Sequence, residues 1–174
     1  MISEVRRERT ALVRTSLSRP VSLAIHAGLL NKSDTFFDYG CGRGSDFLAL
    51  QKEGWCSNGW DPTFHPSRPL AKSDVVNLGY VVNVIENSEE RVRVLGEAWG
   101  LCRKLLIVSA RLVSELSGLG TAKIYEDGYL TSRNTFQKFY EQHELKNWID
   151  TSLGVHSVPV APGVMFVFRD DNRR

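Results

Sequence analysis

The sequence predicts an α/β protein built on a mostly parallel, doubly wound sheet that closes with an antiparallel hairpin. Three observations lead there. Phe36 to Asp46 reads FFDYGCGRGSD, two apolar residues and an acid, then glycines at positions 40, 42 and 44, then a polar start to an apolar run. A strand ends there, turns tightly and becomes a helix, because glycine tolerates positive φ and brings no Cβ. Leu105 to Ala110 is a continuous apolar run, the pattern of a strand buried on both faces. Val155 to Val160, the turn Ala161-Pro162-Gly163 and Val164 to Phe168 alternate as a hairpin does.

The elements follow in order. Ser18-Arg19-Pro20, with Val21, Ala24 and Ile25 behind it, starts a helix that Gly28 stops. Asn31 to Asp34 is a polar turn into the first strand, Thr35 to Tyr39, and a helix runs from Ser45 to about Glu53, ended by Gly54. The second strand, Trp55 to Trp60, delivers Asp61 and Pro62. Three of the six prolines then fall within residues 61–69. Asp74 to Leu78 is a short apolar strand followed by the turn Leu78-Gly79-Tyr80. Asn87 or Ser88 caps the next helix, whose buried face is Val92, Leu95, Trp99 and Cys102. Arg111 to Thr131 shows no clear period and reads as a long loop, of the kind that is usually functional. Thr135 to Tyr140 is expected to be helical. A second helical segment, Glu141 to Thr151, carries Leu145, Trp148 and Ile149 on one side and ends at Gly154.

The glycine spacing separates two ligand classes incompletely. A dinucleotide fingerprint places small residues first, third and sixth, whereas here the fifth position is already Gly44 and the sixth is Ser45. With Asp38 two residues before Gly40, D-x-G-x-G-x-G resembles the first motif of class I S-adenosylmethionine-dependent methyltransferases. That resemblance implies a Rossmann-like sheet, Asp38 at the methionyl amino group and Asp61 at the ribose hydroxyls. It also exposes a departure. Such enzymes insert a helix and a third strand after Asp61, but only twelve residues, Thr63 to Asp74, are available. That strand and its helix are expected to be reduced or missing, and with them the residue that usually holds adenine.

The phrases TSLSRPV, FDYGCGRG, GWDP, DVVNLGYVVNVIE, TFQKFY and APGVMFVFRD together resemble the methyltransferase family associated with DNA phosphorothioation, from about Arg9 to Asp170. The resemblance implies S-adenosyl-L-methionine as cofactor, contacted by Asp38, Gly40, Cys41, Gly42, Gly44, Asp61, Pro62 and the turn Leu78, Gly79 and Tyr80. It places Arg111, Arg133 and Gln137 at the acceptor. It further implies a nucleic-acid acceptor, DNA first, and protein partners from the same modification system. A non-catalytic DNA- or protein-binding module on a degenerate methyltransferase fold is the alternative. No Asn-Pro-Pro-Tyr motif of amino-group DNA methyltransferases and no Pro-Cys nucleophile is present, so the sequence names no catalytic residue. Members of that family often run on beyond this chain's last residue, which makes it a short relative or an N-terminal part.

Composition sets the outer bounds. The 174 residues suit a basic arm, 1–17, one methyltransferase-like domain, 18–170, and a tail, 171–174. Cys41, Cys56 and Cys102 are odd in number and far apart, and His26, His65, His143 and His156 are scattered, which gives no metal site and reduced thiols. No apolar run approaches the roughly 18 residues of a membrane span, and the N-terminus lacks a secretory pattern, so a cytoplasmic location is expected. Net charge is only +2, but residues 1–20 hold five arginines against Glu4 and Glu8. Such an arm either neutralises phosphates or is a solvated terminus.

Overall fold

The computed structural model describes residues 4–169; residues 1–3, Asp170 and the tail 171–174 lie outside the described residues. Its frame is a six-stranded sheet in the order β2-β1-β3-β4-β9-β8. The strands are β1 (Phe36–Tyr39), β2 (Ser57–Trp60), β3 (Ser73–Gly79), β4 (Cys102–Ser109), β8 (Val158–Ala161) and β9 (Val164–Phe168). The first four are mutually parallel, β9 runs antiparallel to β4, and β8 antiparallel to β9. This is an α/β fold with a mostly parallel central sheet and an antiparallel terminal hairpin.

Side-chain alternation gives the sheet two buried faces. Phe36, Val75, Leu105 and Ile107 pack with α1 (Arg19–His26) and α2 (Ser45–Lys52), while Phe37, Val76, Leu106 and Val108 pack with α3 (Ser88–Leu101) and α4 (Gln142–Leu153). Phe47 of α2 is fully buried where Gly44 and Gly59 leave room: a Cβ on either glycine would come within 2.5 Å of its ring. Sequence order reverses at β1, since β2 lies on one side of it and β3 on the other, and open α/β sheets bind ligands at the carboxyl ends of strands at such a point.

Between β2 and β3 there is neither helix nor strand, only the turn closed by the Asp61–His65 bridge and an irregular return, so the expected loss is real. Three expectations fail. Residues 135–140 are not helical: Phe136–Gln137 form β7, the third strand of a small antiparallel sheet with β5 (Ala122–Tyr125) and β6 (Gly128–Thr131), and Tyr140 bridges to Leu112. Arg111 to Thr131 is therefore a 3₁₀ turn over Val113–Leu119 followed by a hairpin, and not a long loop. On α3, Val92 faces solvent at 42% exposure while Arg91 is 3% exposed, because Arg91 turns inward to a bidentate pair with Asp127 at 2.5–2.8 Å.

Candidate functional site

A cleft of about 930 Å³ opens over the carboxyl ends of β1 and β3, near the upper limit of the roughly 300–1,000 Å³ usual for ligand pockets. Its floor is Asp38, the penultimate residue of β1, and Asn77 of β3. The Asn77 amide donates to Asp38 Oδ1 at 2.9 Å, and Gly79 makes this possible, since a Cβ there would sit 2.9 Å from that amide. Burial, reinforced by the charges of Asp46 and Asp61, pushes the Asp38 carboxyl up to about 8. Asn77 Oδ1 is itself buried with no partner among the described residues.

The glycine loop joins β1 to α2 above this floor. Gly40, Gly42 and Gly44 all have positive φ, from 54° to 87°, which side chains rarely adopt. Space is needed as well: a Cβ on Gly40 would lie 2.6 Å from Val81, and one on Gly42 3.1 Å from Ala11. The loop's amides are largely spoken for. Gly40 and Cys41 donate to the Trp60 carbonyl, Gly44 donates to the Cys41 carbonyl, and Gly42 donates to Asp61 Oδ2 at 2.9 Å. The glycines thus serve close backbone approach here more than donation to a ligand. Asp61 is a hub: its Oδ1 accepts from the amides of Thr63 and Phe64 at 2.9 and 3.0 Å. Three of a carboxylate's approximately four acceptor positions are filled, leaving room for one more donor.

Residues 7–14 form a wall that the sequence does not reveal. Arg7, in the 3₁₀ turn Arg7–Thr10, makes bidentate bonds to both Glu86 and Glu90 at 2.7–2.9 Å. Arg14 pairs with Asp46 at 3.0 Å, and Asp46 also accepts from the Ser18 amide. Arg6 and Arg9 bond the carbonyls of Asn134 and Arg133. The expected basic arm is thus strapped across the cleft with much of its charge paired.

Of the residues the sequence singles out, Asp38, Gly40, Cys41, Gly42, Asp61, Pro62, Gly79 and Tyr80 line the cleft, joined by Arg111, Arg133 and Gln137 from the far end. Leu78 does not: it is fully buried in the core. Gly44 lies outside the lining and caps α2 in the left-handed conformation. Burial holds the Cys41 thiol far above its usual range, so it is protonated and inert. Tyr80 has φ +57°, a strained value for an aromatic residue, and a raised phenol through burial. Reasoning from sequence missed Asn77, Asn83 and the strap; the strap's partners lie 79 and 83 residues away, so no local pattern points to them. Among the described residues no group of three or more His, Cys, Asp or Glu could hold a metal ion, and no helix is long and apolar enough to cross a membrane.

No family model matches the chain, and no curated protein matches it. Solved structures do match. Magnesium protoporphyrin IX methyltransferase from Synechocystis PCC 6803, with S-adenosylhomocysteine bound, is similar at TM-score 0.56 and 14% identity over 94% of this chain and 93% of its own. The 1,6-didemethyltoxoflavin-N1-methyltransferase of Burkholderia thailandensis, bound to 1,6-didemethyltoxoflavin and S-adenosylhomocysteine, gives 0.55 and 14% over 97% and 80%. A possible histamine N-methyltransferase from Thermotoga maritima gives 0.55 and 13% over 94% and 92%. At these identities the likeness is one of fold: the Rossmann-like fold of class I methyltransferases.

Proposed function

We propose that this class I methyltransferase fold binds S-adenosyl-L-methionine in the cleft and transfers its methyl group to nucleic acid, with DNA the first candidate, in the setting of DNA phosphorothioation. The observation that carries the cofactor assignment is Asp38, a buried carboxyl in the cleft that among the described residues is bonded by the Asn77 amide and by no basic side chain. Such a group is short of a cation, and the cofactor brings an α-ammonium and a sulfonium. The S-adenosylhomocysteine held by two of the similar structures supports the same reading.

When bound, the cofactor supplies an electrophilic methyl group that an acceptor nitrogen or oxygen displaces in line from sulfur, without a covalent enzyme intermediate. Asp38 would hold the ammonium, and Asp61, with three of its acceptor positions filled, would accept one ribose hydroxyl. The strap from Arg7 to Arg14 excludes water along the glycine loop. Arg111, Arg133 and Gln137 orient the acceptor, and the turn at Tyr80 lies between the two ends. Other proteins of the modification system are its proposed partners.

Incubation with methyl-labelled cofactor and, separately, DNA with and without backbone sulfur, tRNA and a metabolite extract tests this. Label in DNA is the expected result, and label confined to small molecules would remove the nucleic-acid acceptor. One observation favours the non-catalytic alternative: the adenine end of the cleft keeps only the turn from Asp61 to His65. Salt-dependent DNA binding with no methyl transfer to any acceptor would select it.

A further inference from the structure

The far end of the cleft holds buried polar side chains whose hydrogen bonding the fold only partly satisfies. Asn83, Thr135 and Gln137 line it, and all three are more than nine-tenths buried. The Thr135 hydroxyl is used, 2.7 Å from that of Thr131. The two amides are only half used. Asn83 Nδ2 donates to Gln137 Oε1 at 3.2 Å, which leaves Asn83 Oδ1 buried without a partner among the described residues. The Gln137 amide nitrogen makes no hydrogen bond among the described residues and, unlike Asn83 Oδ1, is not fully buried. Turning either amide exchanges its oxygen and nitrogen, and while the two stay bonded to each other one oxygen and one nitrogen always remain over. A buried polar atom left this way costs stability and marks a place where a ligand completes the set.

From this we infer that the acceptor subsite reads the edge of a nucleobase through Asn83 and Gln137, with Arg133 and Arg111 meeting the attached phosphate. The inference rests on the proposed function and names the chemical group that its acceptor end recognises. The pair leaves one acceptor and one donor over and carries no charge of its own, which suits a neutral group that has both. A trans peptide also has one of each, but its N–H and C=O point in opposite directions across a planar unit. A ring amide or amidine presents both on one edge, as the bases do, and side-chain amides of Asn or Gln read adenine in this manner. The cleft mouth supplies the counter-charge for a nucleotide. The Arg133 guanidinium has no ion-pair partner among the described residues, and Arg111 makes only a 3.4 Å contact to Glu115 while lying 4.8 Å over the Phe139 ring.

The test is calorimetry in two stages. Wild-type protein is first titrated with S-adenosylhomocysteine. The complex is then titrated with dAMP, dGMP, dCMP and dTMP, with the matching nucleosides, and with the tripeptide Ala-Gln-Ala. At least one nucleotide is expected to bind the complex. Asn83→Leu and Gln137→Met should each weaken it about tenfold, the loss of roughly one hydrogen bond, with S-adenosylhomocysteine affinity unchanged as proof of an intact fold. Arg133→Ala should weaken the nucleotide and spare the nucleoside. A complex that binds no nucleotide, that binds the tripeptide instead, or whose nucleotide affinity survives both amide substitutions overturns this inference and leaves the methyltransferase reading standing. Failure of S-adenosylhomocysteine itself to bind removes both.

Discussion

Replacing Asp38 by Asn should make the empty protein more stable and the cofactor site worse. The carboxyl moves from an ordinary 3.8 to about 8 in the folded protein, chiefly through burial. Because the native state holds this proton more tightly than the unfolded chain, stability is complete below about pH 4. It falls as pH rises toward 8 and is level above that. A shift of roughly four pH units at about 1.4 kcal/mol each amounts to on the order of 5 kcal/mol of destabilisation at pH 9. Asn has the same shape and keeps an oxygen for the Asn77 amide, so it removes the penalty without leaving a hole. Urea unfolding of both proteins at pH 5.5, 7 and 8.5 should show the variant gaining on wild type by more than about 1 kcal/mol per pH unit from 5.5 to 7 and by less from 7 to 8.5. A difference that does not grow with pH, or a variant less stable at pH 8.5, would refute the argument. In the same variant, affinity for S-adenosylmethionine should fall at least tenfold, since an amide cannot neutralise the ammonium.

Three further outcomes follow from the geometry. Gly40→Ala meets both φ +71° and the Val81 methyl 2.6 Å away, and should cost about 2–3 kcal/mol; adding Val81→Ala should recover the steric part and not the backbone part, which a double-mutant cycle by chemical unfolding measures. Phe47→Ala empties the space shared with Gly44 and Gly59 and should cost about 3–5 kcal/mol, read by the same method. Arg7→Met should release the strap: trypsin cleavage at Arg9 and Arg14 should speed up severalfold, and added salt should accelerate cleavage in wild type more than in the variant.

What could be read from the chain is what is locally encoded. The glycine loop, the acid ending β2 and the terminal hairpin each occupy a dozen residues or fewer, and turn chemistry and burial act within that span. The stretch from Thr135 to Tyr140 misled because Gln137 and Lys138 look like the wet side of a helix. Both are buried, Lys138 by ion pairs to Asp127 and Glu144 and Gln137 by the Asn83 amide. The same Asp127 draws Arg91 inward and turns Val92 out, against the apolar pattern of α3. The strap was legible only as excess charge, since Glu86 and Glu90 lie 79 and 83 residues away from Arg7, beyond β1, β2 and β3. In each case a polar or charged group is held by a partner outside its own element, and no periodicity records such a pairing.

If this cleft takes the cofactor's ammonium onto Asp38, proton release measures that contact directly. At pH 7 a carboxyl with a value of about 8 is roughly nine-tenths protonated, and an arriving ammonium must displace that proton. Calorimetric titration with S-adenosylmethionine at pH 7, in buffers of different ionisation enthalpy, should show binding with release of about one proton in wild type and near none in Asp38→Asn. No binding at millimolar cofactor, or binding without proton release that the substitution leaves unchanged, would contradict it.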